Sequence, residues 1–223
     1  MTFNTLESNS NEAGIAARKL LRQEGIGTLS TIYNPSPQQG GHHNLEKLEA
    51  GNNLSGYPFC IFDYYIDLNE TYGDPILLVS TMQKSYHNFS SNPKVAFTVR
   101  EPGGTKIMGN SRFCLMGEIA RLEEELIELA KQAFLKKHSD TKFWLGWKDF
   151  QFYRIKVQSI YWVGGFGNSH YIGDVPLLQY KNVDTSILKK KVVFIHRHFF
   201  GGVGLLFIIL FLYYIHLSLP ILL

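Results

Sequence analysis

Ser80 and Thr81, followed by Lys84, are the residues of this chain whose types and spacing could do chemistry. They fall where a continuous aliphatic run, 76–79, gives way to a polar segment, and hydroxyls there suit the start of a helix. A helix N-terminus offers free N–H groups and the positive end of its dipole. With the Lys84 ammonium one turn on, the junction reads as an anion site of phosphate size; the alternative is an ordinary capped helix with a solvated lysine. His87 belongs to the same helix, where it either faces a cofactor or is a half-buried surface residue. Asn92-Pro93 stops this helix at Ser91, because the residue before a proline avoids helical geometry.

Other candidate groups are scattered. Gly164-Gly165-Phe166-Gly167, followed by Asn168, Ser169 and His170, permits close backbone approach to a ligand or is a tight turn between barrel elements. His42-His43 and the His196/His198 pair have no Cys or carboxylate at ligand spacing, so no metal site is expected. There is no nucleophile elbow, P-loop or HExxH motif. Asn53, Asn69 and Asn88 each open an N-x-S/T triplet and are glycosylation candidates. Cys60 and Cys114, 54 positions apart, are too few for a disulfide scaffold or a zinc site. They are expected as buried thiols, the alternative being one cross-strand bridge.

The elements that must position these groups can be read from periodicity. Residues 1–12 are polar and expected to be disordered, and 13–24 form a helix with Ala13, Ala16, Ala17, Leu20 and Leu21 on one stripe. A strand at 27–33 precedes a long insertion, 34–56. The aromatic run 57–68 and the turn-rich 69–75 make a hairpin into the strand at 76–79. Val95, Phe97 and Val99 alternate as a further strand, as do Phe113, Leu115 and Ile119 within 111–121. The segment 122–138 is the clearest helix, acidic in its first turn and basic in its last, with Leu122, Leu126, Leu129, Ala130, Ala133 and Phe134 as its apolar stripe. Two short strands, 150–157 and 160–163, complete at least six strands with short helices between them. Helix and strand do not alternate regularly enough for a doubly wound sheet, so an α+β barrel is the better fit.

At 223 residues and 45% hydrophobic content the chain can bury one core. Residues 181–223 carry five Lys/Arg against one acidic residue, so a total of +3 leaves the first 180 residues at −1. A body so near neutrality has no electrostatic footprint for nucleic acid. The domain is set at 13–180, a basic linker at 181–198, and a tail at 199–223 that contains no charged residue. Twenty-five helical residues would span about 37 Å, enough for a hydrocarbon layer of about 30 Å with tilt. The tail is expected to be a single C-terminal transmembrane helix with the body on the cytosolic side; the alternative is an appendage absent from the mature protein. The N-terminus lacks the apolar core of a signal peptide. Use of the glycosylation triplets would need a different start and an endomembrane or secretory location.

Several separated stretches together carry a resemblance: GIGTLSTIYNP at 25–35, LLVSTMQKSYHNFSSNPKVAFTV at 77–99, SRFCLMGEIARLEEE at 111–125, HSDTKFW at 138–144 and KDFQFYRIKVQSIYWVGGFG at 148–167. Over about residues 13–175 the chain resembles the pyridoxamine 5′-phosphate oxidase-like split barrels, in the branch of the CREG-like proteins and haem-utilisation relatives. The resemblance implies an α+β six-stranded split β-barrel with short flanking helices, a homodimer, and, in members that use it, an FMN site at the subunit interface. The family's phosphate grip, set against Asn92-Pro93, falls on Gln83, Lys84 and Ser85, so only one of its basic residues survives. The family's early arginine-bearing strand is matched by 57–68, which has no Arg or Lys. The expectation is a CREG-like barrel with a degenerate flavin site and a binding role. The alternatives are an FMN-dependent oxidoreductase and, behind it, a haem-binding relative using His170 or the His196/His198 pair.

Overall fold

The computed structural model describes residues 9–35, 54–103, 109–165 and 170–188. The expected membrane tail, most of the basic linker, the pairs His42-His43 and His196/His198, and Asn53 lie outside the described residues. Among the described residues no helix is long and apolar enough to cross a membrane.

Helix α1 (Ser10–Gln23) buries Ala13, Ala17, Leu20 and Leu21, the stripe expected of it. It starts three residues early, because the Asn9 side chain accepts hydrogen bonds from the Asn11 and Glu12 backbone N–H groups and so satisfies the first turn. Residues 9–12, assigned to a disordered leader from their composition, are thus the cap and first turn. The strands that follow are β1 (Ile26–Ile32), β2 (Pro58–Ile66), β3 (Ile76–Ser80), β4 (Lys94–Arg100), β5 (Arg112–Arg121), β6 (Phe150–Val163) and β7 (Ile172–Asp174). All pairings are antiparallel, in the order β3-β2-β1-β4-β5-β6-β7, and a further pairing of β3 with β6 closes the first six strands into a barrel.

Strand β6 is one element of 14 residues, where the sequence pattern reads as two. Its inward residues are Ile155 and Val157, then Ile160 and Trp162, all buried. The step of three instead of two comes from a bulge: Met116 pairs with Ser159 but Gly117 with Val157, leaving Gln158 without a partner residue on β5. Gly117 is required there, since a Cβ would lie 2.2 Å from the Lys156 carbonyl oxygen. The length of β6 serves two partners on one edge. Residues 150–154 close the barrel against β3, and 161–163 pair with β7.

Two layers of core result. The barrel interior holds Leu29, Tyr65, Leu77, Val79, Phe97, Leu115, Ile155 and Trp162 and is plugged by α1. Helix α2 (Lys84–Ser91) presents Phe89 to the same core. The 122–138 segment becomes a 3₁₀ turn (Glu124–Leu126) and helix α3 (Ile127–Lys137), whose Ala130 and Phe134 pack on the outer side of β2 and β3 with Ile66, Ile76 and Leu78. Strand β3 is therefore covered on both faces, as its unbroken aliphatic run requires. The domain runs past residue 180: α4 (Leu177–Lys181) and α5 (Thr185–Leu188) follow β7, with Tyr180, Val183 and Leu188 buried.

The turn between β2 and β3 carries two buried carboxylates. Asp67 is held by Arg18 and Arg22 of α1. Asp74 receives Arg154 of β6 at 2.8 Å, Lys181 of α4 at 3.2 Å and the Val157 N–H at 3.0 Å. Tyr72 and Gly73 between them both take left-handed backbone, at φ 51° and 90°. Asp74→Asn leaves Arg154 and Lys181 short of their buried counter-charge, and is expected to cost about 3–5 kcal/mol. Urea unfolding checks this, and a loss below about 1 kcal/mol, the range of an exposed pair, would show that the cluster is not energetically buried.

Candidate functional site

The junction after β3 is where the composition suggests an anion site. Helix α2 starts at Lys84, with Gln83 at its N-cap and no side-chain cap. Ser80 lies upstream, donating to the Asp149 carboxylate at 2.6 Å and accepting from the Met82 N–H. The Thr81 N–H donates to the Asp149 carbonyl. A carboxylate thus stands beside the hydroxyl expected to meet a phosphate. Lys84 is turned toward the β1 end: its ammonium donates to the Asn34 carbonyl at 2.9 Å and lies 4.0 Å from the centre of the Tyr33 ring. Ser85 is buried, its hydroxyl without a hydrogen-bond partner among the described residues. His87 is a neighbour of Tyr86 in edge contact, and desolvation, followed by the nearby Lys84 charge, lowers its pKa.

Two of the glycosylation candidates can be placed. Asn69 is exposed, its side-chain oxygen accepting from Arg22. Asn88 is a correction: it is fully buried, donating to the Thr31 hydroxyl and accepting from the Asn34 N–H, so the folded protein offers no amide there for a glycan. The cysteines are corrected too. Both are free, Cys60 exposed and Cys114 half-buried. They sit on β2 and β5 with β1 and β4 between them, a separation of about 14 Å at the usual strand spacing, beyond any disulfide. His170 is half-buried near Gly165. Among the described residues no group of three or more His, Cys, Asp or Glu could hold a metal.

What the fold does assemble is a cleft of about 360 Å³ between β2, the start of α2 and the 3₁₀ turn Ser139–Phe143. Its walls include Phe62, Tyr64, Phe134, Trp144 and Phe150, and its polar groups include Asp63 and Gln83. The HSDTKFW segment builds one side. The Tyr64 ring stacks on His138 at 4.3 Å and its hydroxyl donates to Asp140, while His138 Nε2 lies 3.0 Å from the Tyr65 carbonyl. Asp63 Oδ2 and Gln83 Oε1 are both buried and both lack a hydrogen-bond partner. Burial pushes the Asp63 carboxyl up to about 7, against the opposing pull of a hydrogen bond from Gln83. Sequence reasoning passed over Asp63, although a lone carboxylate inside the aromatic run FCIFDYY is a legible anomaly.

The outer face of the sheet carries an uncharged belt. Pairing aligns Phe62, Thr28, Thr98, Cys114 and Tyr161 in one row across β2, β1, β4, β5 and β6. The next row is Cys60, Ser30, Ala96, Met116 and Ser159. None of the ten is buried and none is charged, although charged residues flank the rows at Arg100 and Arg112 on one side and Lys94, Glu118 and Lys156 on the other.

Comparison with known proteins places this geometry. A family model described as "CREG, beta-barrel" matches residues 8–182. A search of curated sequences finds no match. Among solved structures, a haem-binding protein from Mycobacterium smegmatis superposes with a TM-score of 0.61 at 24% identity, covering 76% of this chain and 60% of that protein's own length. ChuZ from Campylobacter jejuni gives 0.55 at 15% identity over 74% of this chain and 60% of its own. HutZ, the haem storage protein of Vibrio cholerae, gives 0.51 at 17% identity over 73% of this chain and all of its own. At these identities the likeness is one of fold.

The Asp63 carboxyl sets a pH dependence. Its folded value of about 7 lies above the unfolded value, about 3.9, so the folded state holds the proton more tightly. Its stabilising contribution is full below the unfolded value and is lost as pH rises through about 7. Asp63→Asn is expected to match the parent near pH 4 and to exceed it in stability at pH 8, by up to about 4 kcal/mol. Denaturant midpoints at the two pH values check this; a variant whose difference from the parent does not change with pH would refute the assignment.

Proposed function

Since the chain belongs to the CREG β-barrel family, we propose that it is a homodimeric barrel with a binding role and no flavin chemistry. The observation that carries this reading is the pair of buried acceptors, Asp63 Oδ2 and Gln83 Oε1, at the junction where an FMN phosphate would need donors. A phosphate brings negative charge and acceptor oxygens, so it repels a carboxylate and satisfies neither orphan. Asp149 on Ser80 adds a second carboxylate. Strand β2 supplies no Arg or Lys, and Lys84 bonds the Asn34 carbonyl. These residues do not fit FMN.

The test is the visible absorption of the purified full chain, titrated with FMN and then with haem. A colourless protein that leaves both spectra unchanged is the expected result. A flavin band that sharpens stoichiometrically would restore the oxidoreductase reading, and a Soret shift with haem alone would point to a histidine ligand such as His170 or His87.

The dimer rests on the uncharged belt of ten outward residues. A sheet face of small and apolar side chains, uncharged at its centre and flanked by charges of both signs, has the composition of an interface. The occupant proposed is a second copy, meeting belt to belt about a two-fold axis. Ala96→Lys puts an ammonium in the middle of that contact. Light scattering after size exclusion is expected to give a dimer for the parent and a folded monomer for the variant; a monomeric parent would remove the proposal.

A further inference from the structure

We propose that a second pocket, of about 470 Å³ and built by α1, the 3₁₀ turn Asn69–Thr71 and the end of α4, binds a neutral carbohydrate, a pyranose stacked on the Tyr72 ring. Among the described residues none lines both this pocket and the aromatic cleft, so the inference goes beyond the reading above and does not depend on it.

Charge selects the class of ligand. Arg18 and Lys181 line the pocket, but each has a carboxylate: Arg18 shares Asp67 with Arg22, and Lys181 shares Asp74 with Arg154, which also bonds Glu123. With Glu70 on the wall, these cations and carboxylates match one for one. An anion would have to draw the cations away from Asp67 and Asp74, and a cation would meet Glu70 alone. A neutral molecule that both donates and accepts meets neither obstacle.

The polar groups that a ligand can reach are of the kind that hydroxyls bond. Asn69, Glu70 and Asn182 are exposed. The Asn69 side-chain oxygen accepts from Arg22 at 2.7 Å, which leaves its amide N–H groups as donors. Lys181 likewise keeps N–H groups beyond the contact with Asp74. A carboxylate accepts, an ammonium donates and an amide does both, so neighbouring hydroxyls, each a donor and an acceptor, find partners among them.

Tyr72 supplies the apolar side. Its ring is 62% exposed, and its backbone is left-handed at φ 51°, a conformation that Asn or Gly adopts more cheaply. Burial in the core does not account for a tyrosine there. Strain of this kind concentrates at functional positions, and what the position presents is the ring. A pyranose with equatorial hydroxyls has an apolar C–H face to lay on an aromatic ring and hydroxyls at its edge for the groups beside it. The volume is within the range of ligand sites and admits a mono- or disaccharide. The ion pairs behind the wall fix α1, the turn and α4 before any ligand arrives, which limits the ordering cost of binding.

The experiment is calorimetric titration, with saturation-transfer NMR, of the full chain with cellobiose, a neutral sugar whose ring substituents are equatorial. Glucose 6-phosphate and glucosamine are titrated beside it as the anionic and cationic comparisons. Cellobiose is expected to bind at one saturable site per chain, and more tightly than either charged sugar. Tyr72→Asn removes the ring and suits the left-handed backbone, so it is expected to weaken cellobiose by about tenfold or more while the unfolding midpoint stays at or above the parent's. Tyr72→Phe keeps the ring and is expected to hold the affinity within about threefold. Asn182→Ala, at an exposed position, is expected to weaken it by about fivefold. Absence of a saturable cellobiose signal, tighter binding of either charged sugar, or unchanged affinity in Tyr72→Asn would overturn the proposal. So would a Tyr72→Asn variant that loses binding and stability together, since the ring would then serve the fold and not the ligand.

Discussion

The connection between β2 and β3 has to bury two carboxylates, and the barrel is arranged around the groups that neutralise them. Asp67 draws in Arg18 and Arg22 and so fixes α1 across the end of the barrel. Asp74 draws in Arg154, Lys181 and the Val157 N–H. Because Arg154 and Val157 belong to β6 beside its bulge, the same carboxylate fixes the register in which β3 meets β6. Charges this deep gain little over an apolar packing of the same volume, since desolvation offsets the attraction. Their effect is on specificity: a slipped register would strand a charge in the core.

That closure brings the cleft into being. Residues 62–64 are on β2, Gln83 stands just before α2 and Phe150 begins β6, three points far apart in sequence that the β3–β2 and β3–β6 pairings draw together. The segment after α3 supplies the remaining wall, with Tyr64 stacked on His138 and Trp144 beyond it. The result is an aromatic recess lined also by Asp63 and Gln83.

The two faces of the sheet divide the work. Inward positions are large and aliphatic or aromatic and supply stability, with Leu29, Phe97, Leu115 and Ile160 in one row across the strands. The rows between them point outward and hold Thr, Ser, Ala, Cys, Met, Phe and Tyr, a composition that neither solvates well nor carries charge. Lys137, at the end of α3, shows the opposite economy: burial lowers its pKa to about 8, yet it donates to the Arg22 and Glu24 carbonyls where α1 ends.

Local signals by themselves determined most of the elements. Period-two runs gave β1, β4 and β5, a continuous aliphatic run gave the doubly covered β3, and period 3.6 gave α1 and α3. Asn9 three residues before Glu12 also signals a helix start, and only the polar composition around it hid the signal. The break at Gln158 could not be read, because a bulge and a strand end look alike in one sequence; the register with Gly117 distinguishes them. The site was less legible. Ser80, Thr81 and Lys84 have the right types for an anion, and one sequence cannot show that Asp149, 69 positions after Ser80, takes its hydroxyl. Which atoms are satisfied, and by whom, is a property of long-range pairing. Tertiary structure alone decided that Asp63 would be desolvated in the wall of an aromatic cleft.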